Sequence, residues 1–361
     1  MSRQEGSPTS GVFELLGDEF EEVAFGHDAE VGLRAIVAIH STVLGPGLGG
    51  TRFYPYPSET EALVDVLRLA RGMTYKHAVA GLDTGGGKAV IIGDPATDWS
   101  PALIKSYAHF VDGLAGRYLT AEDVGTTQAD MDVIRQITPH VTGTSPDLGG
   151  SGDPSPATAW GVLWSMRAVA ERLWDSSSLR GRRVVVVGVG KVGTALVHHL
   201  VRDGAEVTVA DVDPEAVERL VDQHGVTSVP PEEAHTVACD ILSPCALGAG
   251  LDRRSIPQLE CRAICGAANN QLAEPGDGAR LAQAGVLYVP DYVANAGGVI
   301  NIAEERDGYD QGAAYQRIEG ILETTHLVLD RAAAWDLTPA EAADTIAEER
   351  LAAARAARPR R

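Results

Sequence analysis

Residues 182–211 constrain the fold more tightly than any other stretch of this chain. Arg182-Arg183-Val184-Val185-Val186-Val187 is a β-branched run suited to a central parallel strand. Gly188-Val189-Gly190-Lys191-Val192-Gly193 follows it directly and opens an apolar helix over Val192 to Val201. A second strand, Glu206 to Ala210, ends at Asp211. Strand, G-x-G-x-x-G turn, helix, strand and an acid about 20 residues on form, in that order, a dinucleotide-binding unit. The first glycine permits the tight turn, the second lets backbone approach a pyrophosphate, and the third lets helix and strand pack closely. Unpaired N–H groups and the helix dipole favour the pyrophosphate at the helix N-terminus. The expected cofactor contacts are thus Gly188, Val189, Gly190, Lys191, Val192, Gly193 and, for the ribose, Asp211. A carboxylate at that place repels a 2′-phosphate, which favours NAD over NADP.

Strands and helices alternate after this unit, the pattern of a doubly wound sheet. At 361 residues the chain exceeds the usual single domain, so two are expected. The densest punctuation is Ser145 to Pro156, with three prolines and three glycines in twelve residues. The expected organisation is an N-terminal α/β domain over residues 1–150 and a Rossmann-like doubly wound domain over 151–330, separated by a cleft. A helical segment over 331–361 is expected to pack back across them. Within the first domain Gly32 to His40 reads as a buried strand followed by a glycine-rich turn through Gly45 to Gly50. Glu59 to Gly72 carries Leu63, Val66, Leu67 and Ala70 at the spacing of one helix face.

Composition excludes several classes of partner. With 44% hydrophobic and 22% charged residues the chain is globular, and 50 acidic against 30 basic side chains give a net charge of −20. That charge repels nucleic acid and anionic lipid. The basic cluster Arg355, Arg358, Arg360 and Arg361 reads as a solvated helix end. Met1 to Ser10 lacks the basic and apolar regions of a signal peptide, and no run of about 18 apolar residues follows, so a cytoplasmic location is expected. Cys239, Cys245, Cys261 and Cys265 match no zinc or redox spacing; they read as small apolar residues, and no metal is expected.

Two lysines carry the chemical interest of the first half. Lys88 follows Gly85-Gly86-Gly87, but a Walker loop would require glycine at 82 and Ser or Thr at 89, where the chain has Leu82 and Ala89. The glycine run suggests instead a backbone brought close to a small ligand. Lys76 closes Gly72-Met73-Thr74-Tyr75-Lys76. Further blocks are Leu44 to Arg52, Ala121-Glu122-Asp123-Val124-Gly125-Thr126, Gly266-Ala267-Ala268-Asn269-Asn270-Gln271-Leu272 and Pro290 to Val299. Taken together and in order, these six blocks resemble the glutamate, leucine, phenylalanine and valine dehydrogenase family, over nearly the whole chain and most closely its branched-chain branch.

The resemblance implies NAD-dependent oxidative deamination of a small apolar L-amino acid to the 2-oxo acid, ammonia and NADH, with valine first, leucine next and phenylalanine after it. It implies that Lys76 binds the substrate carboxylate, that Lys88 is the catalytic base, and that Asp123 exchanges a proton with the substrate amine. One lysine must then stay charged while like charge and desolvation push its neighbour toward the neutral form. Leu48, Gly49, Met73, Ala121, Val299 and Ile302 are implied to line the substrate pocket, and Asn270 to position substrate and cofactor. Glutamate-specific relatives carry a lysine where this chain has Leu48, and an apolar residue cannot compensate a buried carboxylate. An alanine or hydroxy-acid dehydrogenase would need a histidine at the reacting centre, which none of the blocks supplies. A non-catalytic NAD-binding regulator would have no need of Lys76, Lys88 and Asp123 together. The family is oligomeric, so at least a dimer is implied.

Overall fold

In the computed structural model the described residues are 12–17, 19–246, 248 and 250–358. The expectation for Met1 to Ser10 and for Arg360 and Arg361 lies outside them. The chain divides into two compact units, one of residues up to His77 together with Asp83–Leu148, the other of Ala78–Leu82 together with the chain from Gly149 onward.

The first unit runs α1 (Val12–Leu16), β1 (Glu22–Asp28), β2 (Leu33–Ser41), β3 (Gly47–Tyr54), α2 (Glu59–Val79), β4 (Gly85–Ile92), α3 (Pro101–Gly113), β5 (Tyr118–Glu122) and α4 (Gln128–Arg135). Its strands form one mixed sheet in the order β1-β2-β4-β3-β5. The β1–β2 and β2–β4 pairs are antiparallel, and β3 runs parallel to both β4 and β5. Alternation along the strands gives each face its own core. Ile36, Ala38, Val90 and Ile92 meet Ala62, Leu63, Val66, Leu67 and Ala70 of α2, the face its spacing predicts. Ala35, Val37, Ala89 and Ile91 meet Leu103, Ile104, Tyr107 and Val111 of α3 on the other side.

Two expectations about glycine are corrected here. Gly47 to Gly50 is no turn but the start of strand β3, and Gly85 to Gly87 begins β4 beside it. Nor does the triple glycine open a space for a ligand. A Cβ on Gly86 would fall 2.0 Å from Thr74 Oγ1 and 2.2 Å from Thr74 N of α2, and one on Gly49 only 1.9 Å from Gly87 O. Turn chemistry loses to packing: helix and strands approach so closely that only hydrogen fits between them.

The second unit comprises α5 (Ser155–Trp174), β6 (Arg183–Val187), α6 (Lys191–Asp203), β7 (Glu206–Ala210), α7 (Pro214–His224), β8 (Thr227–Ser228), β9 (Cys239–Pro244), β10 (Cys261–Ile264), α8 (Asp277–Gln283), β11 (Leu287–Tyr288), α9 (Asp291–Ala294), α10 (Gly297–Ala303), α11 (Gln311–Glu319), α12 (Ile321–Trp335) and α13 (Pro339–Ala357). The sheet order β8-β7-β6-β9-β10-β11, parallel throughout, is that of the doubly wound dinucleotide fold. Helix α5 packs against α6, α10, α11 and α12, and α13 lies on α12. A capping box of Thr338 and Glu341 starts α13.

The close approach of β3 and β4 makes a stability prediction. Gly49→Ala should lose about 1–3 kcal/mol, the cost of overpacking. Gly113→Ala, where nothing lies within 4 Å, should instead gain up to about 1 kcal/mol from helix propensity. Urea denaturation of the two variants reads this difference, and an unshifted midpoint for Gly49→Ala would contradict it.

Candidate active site

Lys88 stands in the middle of β4, on the same face as Val90 and Ile92, the face covered by α2. A lysine inside an otherwise apolar strand is costly unless paired, and this one is only 6% exposed. Its Nζ lies 3.2 Å from Asp123 Oδ2. A carboxylate is therefore in contact with the Lys88 ammonium.

Asp123 follows β5 directly and is held by its backbone as well as by its charge. Its N–H donates to Thr126 Oγ1, whose hydroxyl reaches Thr51 O, while Phe53 N–H donates to Val124 O. This short turn is thus laced to β3. Gly50 makes the contact possible, since a Cβ there would lie 2.4 Å from Glu122 O and 2.8 Å from Asp123 Cβ.

From β3 the Arg52 guanidinium reaches both ways. Its Nε meets Asp123 Oδ2 at 3.0 Å and its Nη1 meets Asp65 Oδ2 at 2.9 Å. Asp65, on α2, also accepts from Tyr56 (2.7 Å) and Arg68 (2.8 Å). Burial raises the Asp123 carboxyl, but the Lys88 and Arg52 charges outweigh it and hold it below the ordinary carboxylate range. At Asp65 burial is likewise outweighed, by the bonds from Tyr56 and Arg68 and the charge of Arg52.

The other residues singled out in this unit lie around the same strands. Leu48 is fully buried in β3 and Ala121 is buried in β5, at the position opposite Gly50. Met73, half-buried on α2, lies against Gly49, and Lys76 is half-buried in the last turn of that helix. Arg52 had been noticed only as part of a block and Asp65 not at all. An arginine in a glycine-rich strand was the available signal for the first; the pairing of α2 with β3 leaves no local trace in sequence.

In the second unit the glycine turn has the geometry that a pyrophosphate requires. Gly188 has φ +97°, Gly190 faces open space, and a Cβ on Gly193 would fall 1.9 Å from Gly188 O. Helix α6 begins at Lys191 with Gly190 as its N-cap. Val189 is buried and Val192 half-buried, while Lys191 is exposed and pairs with Asp153 at 3.1 Å. Asp211 closes β7 and accepts from Val189 N–H at 2.6 Å, so the acid and the turn are physically joined. Asn270, with φ +53°, is exposed after β10. Its neighbour Asn269 accepts from Asn295 Nδ2 at 2.7 Å, a link that the sequence did not announce. Val299 and Ile302 are buried on α10.

Comparison with known proteins points mainly to one family; a shorter match, over residues 168–241, is to the model described as Shikimate / quinate 5-dehydrogenase. Residues 21–140 match the family model described as Glu/Leu/Phe/Val dehydrogenase, dimerisation domain, and residues 210–358 match that described as Glutamate/Leucine/Phenylalanine/Valine dehydrogenase. The chain is 53% identical to valine dehydrogenase of Streptomyces virginiae over 93% of this chain and 94% of that one. It is 51% identical to leucine dehydrogenase of Geobacillus stearothermophilus over 94% and 93%. Among solved structures, L-tryptophan dehydrogenase from Nostoc punctiforme matches with a TM-score of 0.82 at 40% identity, covering 95% of this chain and 98% of that one. By sequence blocks, fold and full-length likeness, the chain belongs to the glutamate/leucine/phenylalanine/valine dehydrogenase family.

Proposed function

We propose that this enzyme oxidatively deaminates a branched-chain L-amino acid with NAD, valine being the first candidate and leucine the alternative. The observation that carries the reading is the buried Lys88–Asp123 pair at 3.2 Å, an acid and a base in contact within a member of an amino-acid dehydrogenase family. Lys76 is assigned to the substrate carboxylate. Asp123 takes a proton from the substrate ammonium, so that the nitrogen lone pair can assist departure of hydride from Cα. Lys88 takes one proton of the water that attacks the resulting iminium carbon; Asp123 then returns its proton to nitrogen, and as the C–N bond breaks the hydroxyl proton passes to the departing ammonia, leaving the 2-oxo acid and ammonium. Leu48, Gly49, Met73, Ala121, Val299 and Ile302 are assigned to an apolar pocket, and Asn270 to orienting substrate and cofactor.

The nicotinamide cofactor, when bound, accepts the hydride. Gly188, Val189, Gly190, Lys191, Val192 and Gly193 fit its pyrophosphate because the turn offers open backbone at Gly190 and the first turn of α6. Asp211 fits the ribose hydroxyls and disfavours a 2′-phosphate. We further infer a cytoplasmic homo-oligomer; the match of residues 21–140 to a model described as a dimerisation domain supports assembly through the first unit.

Two measurements test the reading. Reduced-cofactor absorbance should rise with valine or leucine and NAD, more slowly with phenylalanine, and hardly with glutamate, and Lys88→Ala should lose at least about 100-fold in kcat. Folded protein that turns over none of these amino acids would overturn it. Separately, Asp211→Ser should narrow the preference for NAD over NADP by about tenfold or more, since it removes a like-charge repulsion; an unchanged ratio would remove Asp211 from cofactor choice.

A further inference from the structure

Asp123 offers its two oxygens unequally. Lys88 Nζ and Arg52 Nε both contact Oδ2, at 3.2 Å and 3.0 Å. Among the described residues no hydrogen bond reaches Oδ1. A carboxylate pinned through one oxygen by two cations cannot rotate without breaking both contacts, so the other oxygen is held in a fixed direction. Arg52 is itself fixed, because its Nη1 is tied to Asp65 Oδ2 and Asp65 is tied to Tyr56 and Arg68. Side-chain exposures of 23% for Arg52, 17% for Asp65 and 24% for Asp123 make this a half-buried network, with more weight than a surface ion pair.

We propose that Arg52, clamped by Asp65, is a positioning residue for the reaction: it holds Asp123 through Oδ2 and leaves Oδ1 as the oxygen that takes the proton from the substrate ammonium. The N–H bond breaks as the Oδ1–H bond forms, the amine is left neutral, and Asp123 is a carboxylic acid until it returns the proton to nitrogen. This inference rests on the reading of Asp123 as the proton-exchanging group. The charged groups around Asp123 are Lys88 on β4 and Arg52 on β3, with Glu122 preceding it on β5; Asp65, Arg68 and Lys76 are carried by α2. Removing the Arg52 charge takes away one of the two cations that keep Asp123 ionised, so its folded pKa rises. Activity that requires the carboxylate is then lost at a higher pH as the medium is acidified.

The test compares kcat against pH for Arg52→Gln, Arg52→Lys, Asp65→Asn and Asp123→Asn, with thermal unfolding to establish that each is folded. Arg52→Gln should lower kcat about tenfold to 100-fold, as misplacement of a catalytic group does. KM for the amino acid should stay within about threefold. The acid limb of kcat should move up by about one pH unit. Arg52→Lys should restore the limb but not the whole of kcat. Asp65→Asn, which leaves Arg52 in place and removes its anchor, should lower kcat in the same sense and serves where Arg52→Gln does not fold. An acid limb and kcat unmoved in folded Arg52→Gln or Asp65→Asn, with Asp123→Asn inactive, would overturn the role of Arg52 alone. Full activity of Asp123→Asn would overturn the underlying reading as well.

Discussion

The chemistry of the first unit depends on how closely β3 lies between β4 and β5. Side chains at positions 49, 50 and 86 would push these strands and α2 apart, because each Cβ would meet backbone atoms at 2.4 Å or less. With hydrogen in those places, Lys88 of β4 and Arg52 of β3 each come within about 3 Å of Asp123, the residue after β5. The glycines therefore act on the site through packing: they set the spacing of the strands that carry the charges.

The second unit uses glycine in another way. Gly193 brings α6 down onto the turn, and Gly188 takes the positive φ that the turn requires. Here the result is an exposed helix start at Gly190 and Lys191. Asp211 accepts from Val189 N–H, so the acid proposed to face the ribose also braces the glycine turn. A substitution at 211 acts on both.

The nucleotide half was legible because its signal is local. Strand, turn, helix and acid lie within 30 residues, and the periods that mark them come from covalent geometry and the dipole of a helix start. The N-terminal sheet was less so. The buried face of α2 was readable from Leu63, Val66, Leu67 and Ala70, but β3 and the start of β4 were hidden as glycine-rich loops. Glycine in a strand has no side chain to show alternation, and its reason lies in neighbours 12 to 72 positions away, such as Thr74 against Gly86 and Glu122 against Gly50. The same distance hid Asp65. Lys88 and Asp123 could be named only through a family pattern, since a lysine and an aspartate 35 positions apart carry no mark of being 3.2 Å apart.

Arginine at position 52 has a reason that lysine could not supply. Nε serves Asp123 and Nη1 serves Asp65, two carboxylates on different elements, through one planar group with donors in a fixed fork. An ammonium is a single point of charge; it could balance either acid but would not hold them in a common geometry. The base role proposed for Lys88, by contrast, needs a group that can give and take a proton, which a guanidinium does not do. The two cations on Asp123 Oδ2 thus differ in chemical type, a planar fork that spans two acids and a single ammonium. Together their charges outweigh the burial of the carboxylate between them and hold its pKa down.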